Sequence, residues 1–263
     1  MSVRSLLFVP ANERRLKASM RYEPDAFIFD LEDAIKPEHK EEALKELTSF
    51  LKQIRSNKKI YVRINPARYK TELERLKASR IDAIVIPKVE SRDDIEIYRD
   101  YNTDIIALIE TPMGMIHIEQ IVSCDLVKAI GFGAEDYCAL TDMKKCEHTL
   151  SPLKARMVMY AKAYNKRAYD MVEAEFHDLE LFKKLARSSY EFGFDGKLAI
   201  HPAQIDIINE CYRDDAEKLI RLKNAYEEQE EGIIYVDGQL LEGNHYKKVM
   251  ERIKCTDFSC ESD

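Results

Sequence analysis

The sequence has little of what marks several protein classes. Its 263 residues contain no tryptophan and only eight glycines and eight prolines, so collagen-like chains and long low-complexity linkers are excluded. Apolar runs are short compared with the roughly 20 residues needed to span a bilayer, and the stretch at residues 6–9 is too brief for the core of a signal peptide. These absences predict a cytoplasmic protein that does not enter a membrane.

Paired cysteines and an excess of basic charge are also missing. The six cysteines form no CxxC pair, and without an export signal such residues are expected to be reduced thiols. The 41 basic and 48 acidic side chains give a net charge of −7, which argues against a nucleic-acid or anionic-lipid partner.

Eight short apolar, β-branched runs alternate with helical patterns, as expected for a parallel sheet covered on both faces. Eight strand–helix repeats predict an α/β protein with a (β/α)8 TIM barrel. The runner-up, a doubly wound sheet, lacks the glycine-rich turn of a dinucleotide fold after its first strand. The predicted strands are residues 5–9, 26–29, 60–64, 83–86, 105–109, 127–132, 168–172 and 198–200.

Caps and turns predict where other elements begin and end. Pro37 suits the first turn of a helix, and Ser151 followed by Pro152 predicts an N-cap and first helical position. Asp178 predicts another helix start, and Gly193 its end. These patterns fill a barrel domain over residues 1–213.

The remaining residues, 214–263, predict a C-terminal arm. A charged helix reaching about residue 231 precedes a hairpin with Asp237 and Gly238 at its turn. A further helix is predicted over residues 244–253.

Polar side chains at the carboxyl ends of barrel strands have a functional bias because the active site lies there. Glu110 and Asp136 end adjacent strands, and carboxylates with water suit a hard ion such as Mg²⁺. Arg63 ends another strand and offers a planar fork for a substrate carboxylate. This combination predicts that a small carboxylic acid is converted into an enolate.

Structural roles are the alternative for the same side chains. A carboxylate at a strand end often caps a helix or forms a loop ion pair. Lys88 is a candidate Schiff-base residue by chemistry, but an ion pair with Glu90 or Asp30 explains it equally well, because no apolar flank implies a depressed pKa.

Seven strings in register identify the chain as similar to the citrate lyase β-subunit (CitE-like) family, within the HpcH/HpaI aldolases and malyl-CoA lyases. The similarity runs from residue 4 to about residue 242. The strings are RSLLFVP (4–10), FDLEDA (29–34), VRINP (62–66), PKVE (87–90), IETP (109–112), GFGAEDY (131–137) and GFDGKLAIHPAQ (193–204).

The resemblance implies a Mg²⁺-dependent carbon–carbon lyase that cleaves a 3-hydroxyacyl-CoA of the citryl, malyl or citramalyl type into a 2-oxo acid and an acyl-CoA such as acetyl-CoA. It implies Glu110 and Asp136 as metal ligands and Arg63 as the group that binds a substrate carboxylate or stabilises the thioester enolate. The substrate-binding positions it implies are Arg63, Glu110, Gly133, Ala134, Glu135 and Asp136. The supporting residues around them are Asp30, Glu32, Asp33 and Lys88.

The family's C-terminal G-x-M-I-D string carries an acidic residue that reaches a neighbouring subunit's site. Here the string reads GQLLE over residues 238–242, so Glu242 stands in for that aspartate, one methylene longer. The resemblance thus implies a catalytic Glu242, an arm packed on a neighbouring subunit and a homo-oligomer, most simply a trimer, with citrate lyase-type subunits as further candidate partners.

Two other functions remain open at this stage. One is an aldolase that acts on free 2-oxo acids without CoA. The other is a non-catalytic CitE-like scaffold or ligand-binding subunit.

Overall fold

The computed structural model describes residues 3–213, 216–229, 232–236 and 238–255. These residues separate into two compact units. The larger unit comprises residues 3–212, and the described residues from 213 onward form the smaller one.

The larger unit is a closed barrel of eight parallel strands arranged in chain order, with the first strand paired to the last. This arrangement confirms the predicted (β/α)8 fold. The strands are β1 (Ser5–Pro10), β2 (Ala26–Asp30), β3 (Lys59–Arg63), β4 (Ala83–Ile86), β5 (Ile105–Ile109), β6 (Val127–Phe132), β7 (Arg167–Asp170) and β8 (Gly196–Ala199).

The strands are apolar almost throughout because both of their faces are covered. Alternate side chains, such as Leu6 and Leu108, fill the barrel interior. Their neighbours, such as Leu7 and Ile109, pack against the surrounding helices. The side chains at strand ends therefore fall into two sets, one facing the barrel mouth and one facing the helical layer.

Ten α-helices cover the barrel, together with three short 3₁₀ turns at Pro37–His39, Pro66–Arg68 and Arg99–Tyr101. Asp178 caps one helix through the Leu181 amide, as predicted, and Gly193 ends that helix with a φ of 96°. The helices are α1 (Glu13–Ser19), α2 (Lys40–Gln53), α3 (Tyr69–Leu76), α4 (Asp93–Glu96), α5 (Pro112–Ile116), α6 (Ile118–Val122), α7 (Ala134–Thr141), α8 (Glu147–Ala163), α9 (Leu179–Phe192) and α10 (Ala203–Cys211).

The predicted start of α8 is wrong. The helix begins at Glu147, and Pro152 lies inside it. Its cap is Cys146, which forms a reciprocal capping box with Thr149. This box satisfies the first amides of the helix earlier in the chain, so Pro152 removes one hydrogen bond in the second turn instead of starting the helix.

The smaller unit contains α11 (Ala216–Glu227), the antiparallel strands β9 (Ile233–Val236) and β10 (Gln239–Glu242), and α12 (Gly243–Cys255). Gly238 has a φ of 76° in the hairpin turn, whereas Asp237 lies outside the described residues. The core of this unit consists of Leu219, Leu222, Leu241 and Val249.

Two expectations about whole-chain chemistry can be compared with the structure. No helix in the described ranges is long and apolar enough to cross a bilayer. Four cysteines are free thiols, and the side chain of Cys255 and all of Cys260 lie outside the described part. The free cysteines are Cys124, Cys138, Cys146 and Cys211.

Candidate active site

A pocket of about 290 Å³ lies where the carboxyl ends of the barrel strands meet. One part of its wall is polar and comes from β2, β3, β5 and the β6–α7 junction. The other part is apolar and comes mainly from β1, β7 and β8. The polar lining includes Asp30, Arg63, Glu110, Glu135 and Asp136, and the apolar lining includes Phe8, Pro10, Leu108, Phe132, Val172, Leu198 and Ile200.

Arg63 is held in the pocket wall by Asp30. Its Nε and Nη2 atoms donate to the two carboxylate oxygens of Asp30 at 2.7 and 2.6 Å, and its guanidinium lies 5.0 Å from the centre of the Phe8 ring. Its Nη1 is 3.3 Å from a Glu32 oxygen. Asp30 thus engages the Nε–Nη2 edge of the guanidinium in a two-pronged contact, and Glu32 faces Nη1.

The same contacts show what Asp30 does. Its oxygens also accept from the amides of Glu32 and Ala34 at 2.9 and 3.2 Å. With its carboxylate committed to Arg63 and to the backbone, Asp30 positions the arginine and shapes the loop that follows β2.

Glu110 directly follows β5 and is 3 % exposed. Burial, aided by the charge of nearby Asp136 and opposed by the charge of Arg63, raises the pKa of its carboxyl to about 7. One oxygen accepts from the Lys88 amide at 2.9 Å. A Cβ on Gly133 would lie 2.2 Å from the Glu110 Cγ, so glycine at this position makes room for the carboxylate.

Lys88 brings the second group of carboxylates together. Its ammonium lies 2.9 Å from Glu32, 3.2 Å from Asp33 and 3.9 Å from Asp136. The expected partners Glu90 and Asp30 are therefore wrong, because the loop after β2 turns Glu32 and Asp33 toward β4.

The electrostatics of Lys88 disfavour Schiff-base chemistry. Burial opposes its charge, but the hydrogen bonds and charges of Glu32 and Asp33 outweigh burial and raise its pKa. A lysine nucleophile needs the neutral amine. The residue has a φ of 53°, a conformation that costs about 1–3 kcal/mol outside glycine and persists where surrounding contacts fix it.

Lys40 fixes the loop after β2 from the outside. This buried lysine of α2 donates to the carbonyls of Leu31 and Glu32 at 2.8 and 2.5 Å. Sequence reasoning missed this contact, since Lys40 stands in an ordinary charged first turn of a helix.

The donor set fits Mg²⁺. Among the described residues, no group of three or more His, Cys, Asp or Glu side chains forms a metal cluster, but Mg²⁺ commonly uses one or two protein carboxylates and keeps several waters. Glu110 and Asp136 provide two such groups on one pocket wall. The raised pKa of Glu110 reflects burial beside a like charge, which a divalent cation would offset.

The other predicted positions lie in two places. Gly133, Ala134 and Glu135 line the pocket at the start of α7, where Glu135 accepts from Lys145 at 2.7 Å. Glu242 ends β10 in the smaller unit, paired with Ile233.

The apolar half of the pocket was missed by sequence reasoning. Phe8, Val172 and Ile200 line the same pocket as the polar residues. The sequence prediction did not include them because it considered only charged and polar side chains. Phe8 lies near the end of β1, and Val172 and Ile200 lie just beyond the ends of β7 and β8; these positions were the available signal.

Comparisons with known proteins agree with this geometry. The profile of the HpcH/HpaI aldolase/citrate lyase family matches residues 4–202. The chain is 29 % identical to the citrate lyase subunit beta of Haemophilus influenzae, with 95 % of this chain and 97 % of that protein covered. It is 30 % identical to a (3S)-malyl-CoA thioesterase of Cereibacter sphaeroides, with 92 % and 90 % covered.

A solved structure is also similar. It is that of CitE from Mycobacterium tuberculosis in complex with magnesium, acetoacetate and coenzyme A, with a TM-score of 0.80, 27 % identity, and coverage of 96 % of this chain and 98 % of that one. The family match spans all eight strands of the barrel and every pocket residue described above. The chain belongs to the HpcH/HpaI aldolase/citrate lyase family.

Proposed function

We propose that this protein is a Mg²⁺-dependent lyase that cleaves a 3-hydroxyacyl-CoA thioester of the citryl, malyl or citramalyl type into a 2-oxo acid and an acyl-CoA. The chain's place among citrate lyase-type proteins makes it a lyase. The observation that supports the finer assignment is the two-sided pocket, with Glu110, Asp136 and Arg63 on one side and an apolar wall on the other.

Glu110 and Asp136 would hold the metal. When bound, Mg²⁺ supplies Lewis-acid polarisation of the substrate's hydroxyl and carboxylate oxygens. Glu110 is buried in the pocket wall, and Gly133 leaves its carboxylate free of steric conflict.

Arg63 would stabilise the charge that develops on the thioester. A base removes the substrate hydroxyl proton, the bond between the carbinol carbon and the acyl α-carbon breaks, and its electron pair passes to the thioester as an enolate. A fixed guanidinium stabilises such an oxyanion without reorganising. Asp30 holds the Arg63 guanidinium in place by accepting the two hydrogen bonds described above.

A carboxylic acid then protonates the enolate carbon to release the acyl-CoA. We assign this role to Glu242 of a neighbouring chain, whose arm would pack on this chain in a homo-oligomer, most simply a trimer, in the cytoplasm. Asp33 and Glu32, near Asp136 through Lys88, would orient water around the metal.

Hydrolysis of the same thioester is a second candidate, because the Cereibacter sphaeroides relative is a malyl-CoA thioesterase. In that reaction the thioester bond breaks instead of the carbon–carbon bond. The products therefore separate the two functions.

The test is a product analysis with malyl-CoA, citramalyl-CoA and citryl-CoA, and with the corresponding free acids, in the presence of Mg²⁺. The proposal predicts a 2-oxo acid and an acyl-CoA in equal amounts, from thioesters alone. Free CoA with an intact hydroxy acid would identify a thioesterase. A 2-oxo acid formed from free acids would identify an aldolase without CoA, and no product from any substrate would favour a scaffold.

A further inference from the structure

The apolar wall of the pocket rests on a buried polar framework that the proposed chemistry does not use. Val172 follows β7, Ile200 follows β8, and both side chains line the pocket. The groups behind them are charged or polar, which is costly in a protein interior unless every group has a partner. Such a framework calls for an explanation.

Three successive carbonyls of the segment after β7 each accept a hydrogen bond from a side chain of a different element. The Met171 carbonyl accepts at 2.8 Å, the Val172 carbonyl at 3.3 Å and the Glu173 carbonyl at 3.0 Å. The donors, which we call the β7–β8 clamp, are Lys197 of β8, Lys145 of the α7–α8 loop and Gln204 of α10.

Gln204 ties the two wall residues together. Its amide nitrogen donates to the Glu173 carbonyl, while its oxygen accepts from the amides of Ile200 and His201 at 3.0 and 3.2 Å. The side chain is completely buried. One amide group therefore sets the separation between the segments that carry Val172 and Ile200.

Lys197 supplies the ionic anchor of the clamp. It is fully buried and lies 3.1 Å from Asp170 and 3.5 Å from Glu173. The pKa of Asp170 is lowered, because the charges of Lys197 and Lys154 outweigh the effect of burial. Removing one member of a buried ion pair is strongly destabilising, so Lys197 is a poor site for a functional test.

Lys145 is the accessible member of the clamp. Its side chain is 24 % exposed and lies 2.7 Å from Glu135 and 3.2 Å from Glu173. Glu135 lines the pocket at the start of α7, so Lys145 links the apolar wall to the polar one. Lys145, Lys197 and Gln204 do not themselves line the pocket, and they can act on a ligand only through the pocket residues that they hold: Val172, Ile200 and, for Lys145, Glu135.

We propose that Val172 and Ile200, held in place by the β7–β8 clamp, determine how large an acyl group of the CoA thioester the pocket accepts. This inference rests on the proposed function, in which the polar side takes the oxo-acid part and, through Arg63, the thioester oxygen, so that the apolar side is left for the acyl α-carbon and its substituents. An extra methylene in a hydrophobic pocket is worth about 10- to 200-fold in discrimination. A wall fixed at three carbonyls and two amides cannot relax to admit that methylene, whereas an unclamped loop can.

The test is the ratio of the dissociation constants of acetyl-CoA and propionyl-CoA, measured by calorimetry with Mg²⁺ present. We expect the wild type to prefer acetyl-CoA by about 10-fold or more. Val172→Ala and Ile200→Ala should reduce this preference by about 5-fold or more, since each opens the wall by at least two carbons. Lys145→Met should reduce it while Lys145→Arg retains it, because arginine can still donate to the Val172 carbonyl.

Lys58→Met is the matched control. Lys58 is 23 % exposed and pairs with Glu23 at 2.7 Å, and it precedes β3 at the opposite end of the barrel. The Lys58→Met variant should leave the ratio of the two dissociation constants unchanged. A merely structural role for Lys145 would weaken both ligands equally and also leave the ratio unchanged in Lys145→Met, which would overturn the clamp.

The remaining outcomes also decide the matter. An unchanged ratio in Val172→Ala and Ile200→Ala, or a wild type that does not discriminate, would overturn the inference while leaving the lyase reaction intact. If the wild type bound neither thioester, the inference would fall together with the thioester substrate. The product analysis tests the lyase reaction, and the ratio of dissociation constants tests the selectivity for acyl size. Failure of one can therefore be distinguished from failure of the other.

Discussion

At the scale of single residues, the position of Arg63 depends on one carboxylate. Asp30 accepts from two guanidinium nitrogens, and the arginine side chain is only 13 % exposed. An oxyanion stabiliser contributes fully only when its geometry is set before the reaction. Arg63 could be predicted from its place at a strand end, but its pairing with Asp30 depends on the register of β2 and β3, in which the two residues are neighbours.

Asp30→Asn tests this positioning role. Asparagine keeps the shape but loses the charge, so Arg63 should shift and kcat/KM should fall by about 10- to 100-fold. Asp25→Asn is the matched control, because Asp25 holds Arg4 through the same two-pronged contact before β2. Steady-state kinetics in which both variants behave alike would contradict the role of Asp30.

The titration of a second single residue, Glu72, should make the free energy of unfolding depend on pH. It is buried in α3, accepts from the Asn65 amide at 2.8 Å, and burial raises its pKa to about 7 from 4.5. Between these values the folded state binds more protons than the unfolded state, so the free energy of unfolding falls as pH rises.

Glu72→Gln keeps an acceptor for the Asn65 amide and removes the titration. Between pH 5 and pH 8 the wild type should lose about 2.5 kcal/mol more of its unfolding free energy than the variant. Denaturant unfolding at the two pH values measures this difference. Parallel losses in the two proteins would show that Glu72 does not titrate in this range.

At the scale of elements, the junction of β6 and α7 sets the geometry of the polar wall. Gly133 caps α7, and Asp136 lies in the first turn of that helix. The close approach of Gly133 to Glu110 joins the ends of β5 and β6 into one site.

Gly133→Ala should therefore disturb Glu110 more than it disturbs the fold. The new methyl group would overlap the Glu110 side chain, and we expect Mg²⁺ affinity to fall by at least about 10-fold. Gly232→Ala is the control, because a Cβ there meets open space. If calorimetry gave the same Mg²⁺ affinity for both variants, Gly133 would not be needed to accommodate the carboxylate.

Elements were predictable where one local signal dominates. Runs such as residues 83–86 and 105–109 are apolar and β-branched, and the strands occupy those residues. The start of α8 was misplaced because Pro152 gives the stronger local signal, while the capping box formed by Cys146 and Thr149 uses a cysteine. The β7–β8 clamp could not be predicted, since Lys145 and Gln204 reach their carbonyls only after α8 and α10 have packed.

At the scale of the whole molecule, we propose that the barrel supplies the metal-binding and enolate-stabilising groups and that the smaller unit supplies Glu242. The resemblance to the citrate lyase β-subunit family implied these separate roles for the two units. Periodicity alone predicts a hairpin in the smaller unit and assigns no role to its residues. We assign the acid to a neighbouring chain.

Complementation between two inactive variants tests that assignment. Chains with Arg63→Ala and chains with Glu242→Ala should each be nearly inactive alone. When they are co-expressed and co-purified, about a quarter of the sites should combine an intact Arg63 with a neighbour's intact Glu242, and turnover should return to that fraction. Absence of rescue in a verified mixed oligomer would place the acid in its own chain or elsewhere.

The most direct test of the central claim is a calorimetric titration of Mg²⁺ into the wild type and into Glu110→Gln, with and without oxaloacetate or pyruvate. The account predicts Mg²⁺ binding that is strengthened by the oxo acid and weakened by at least about 10-fold in the variant. Equal Mg²⁺ affinity in the two proteins, or binding indifferent to the oxo acid, would contradict a metal site built on Glu110 and Asp136.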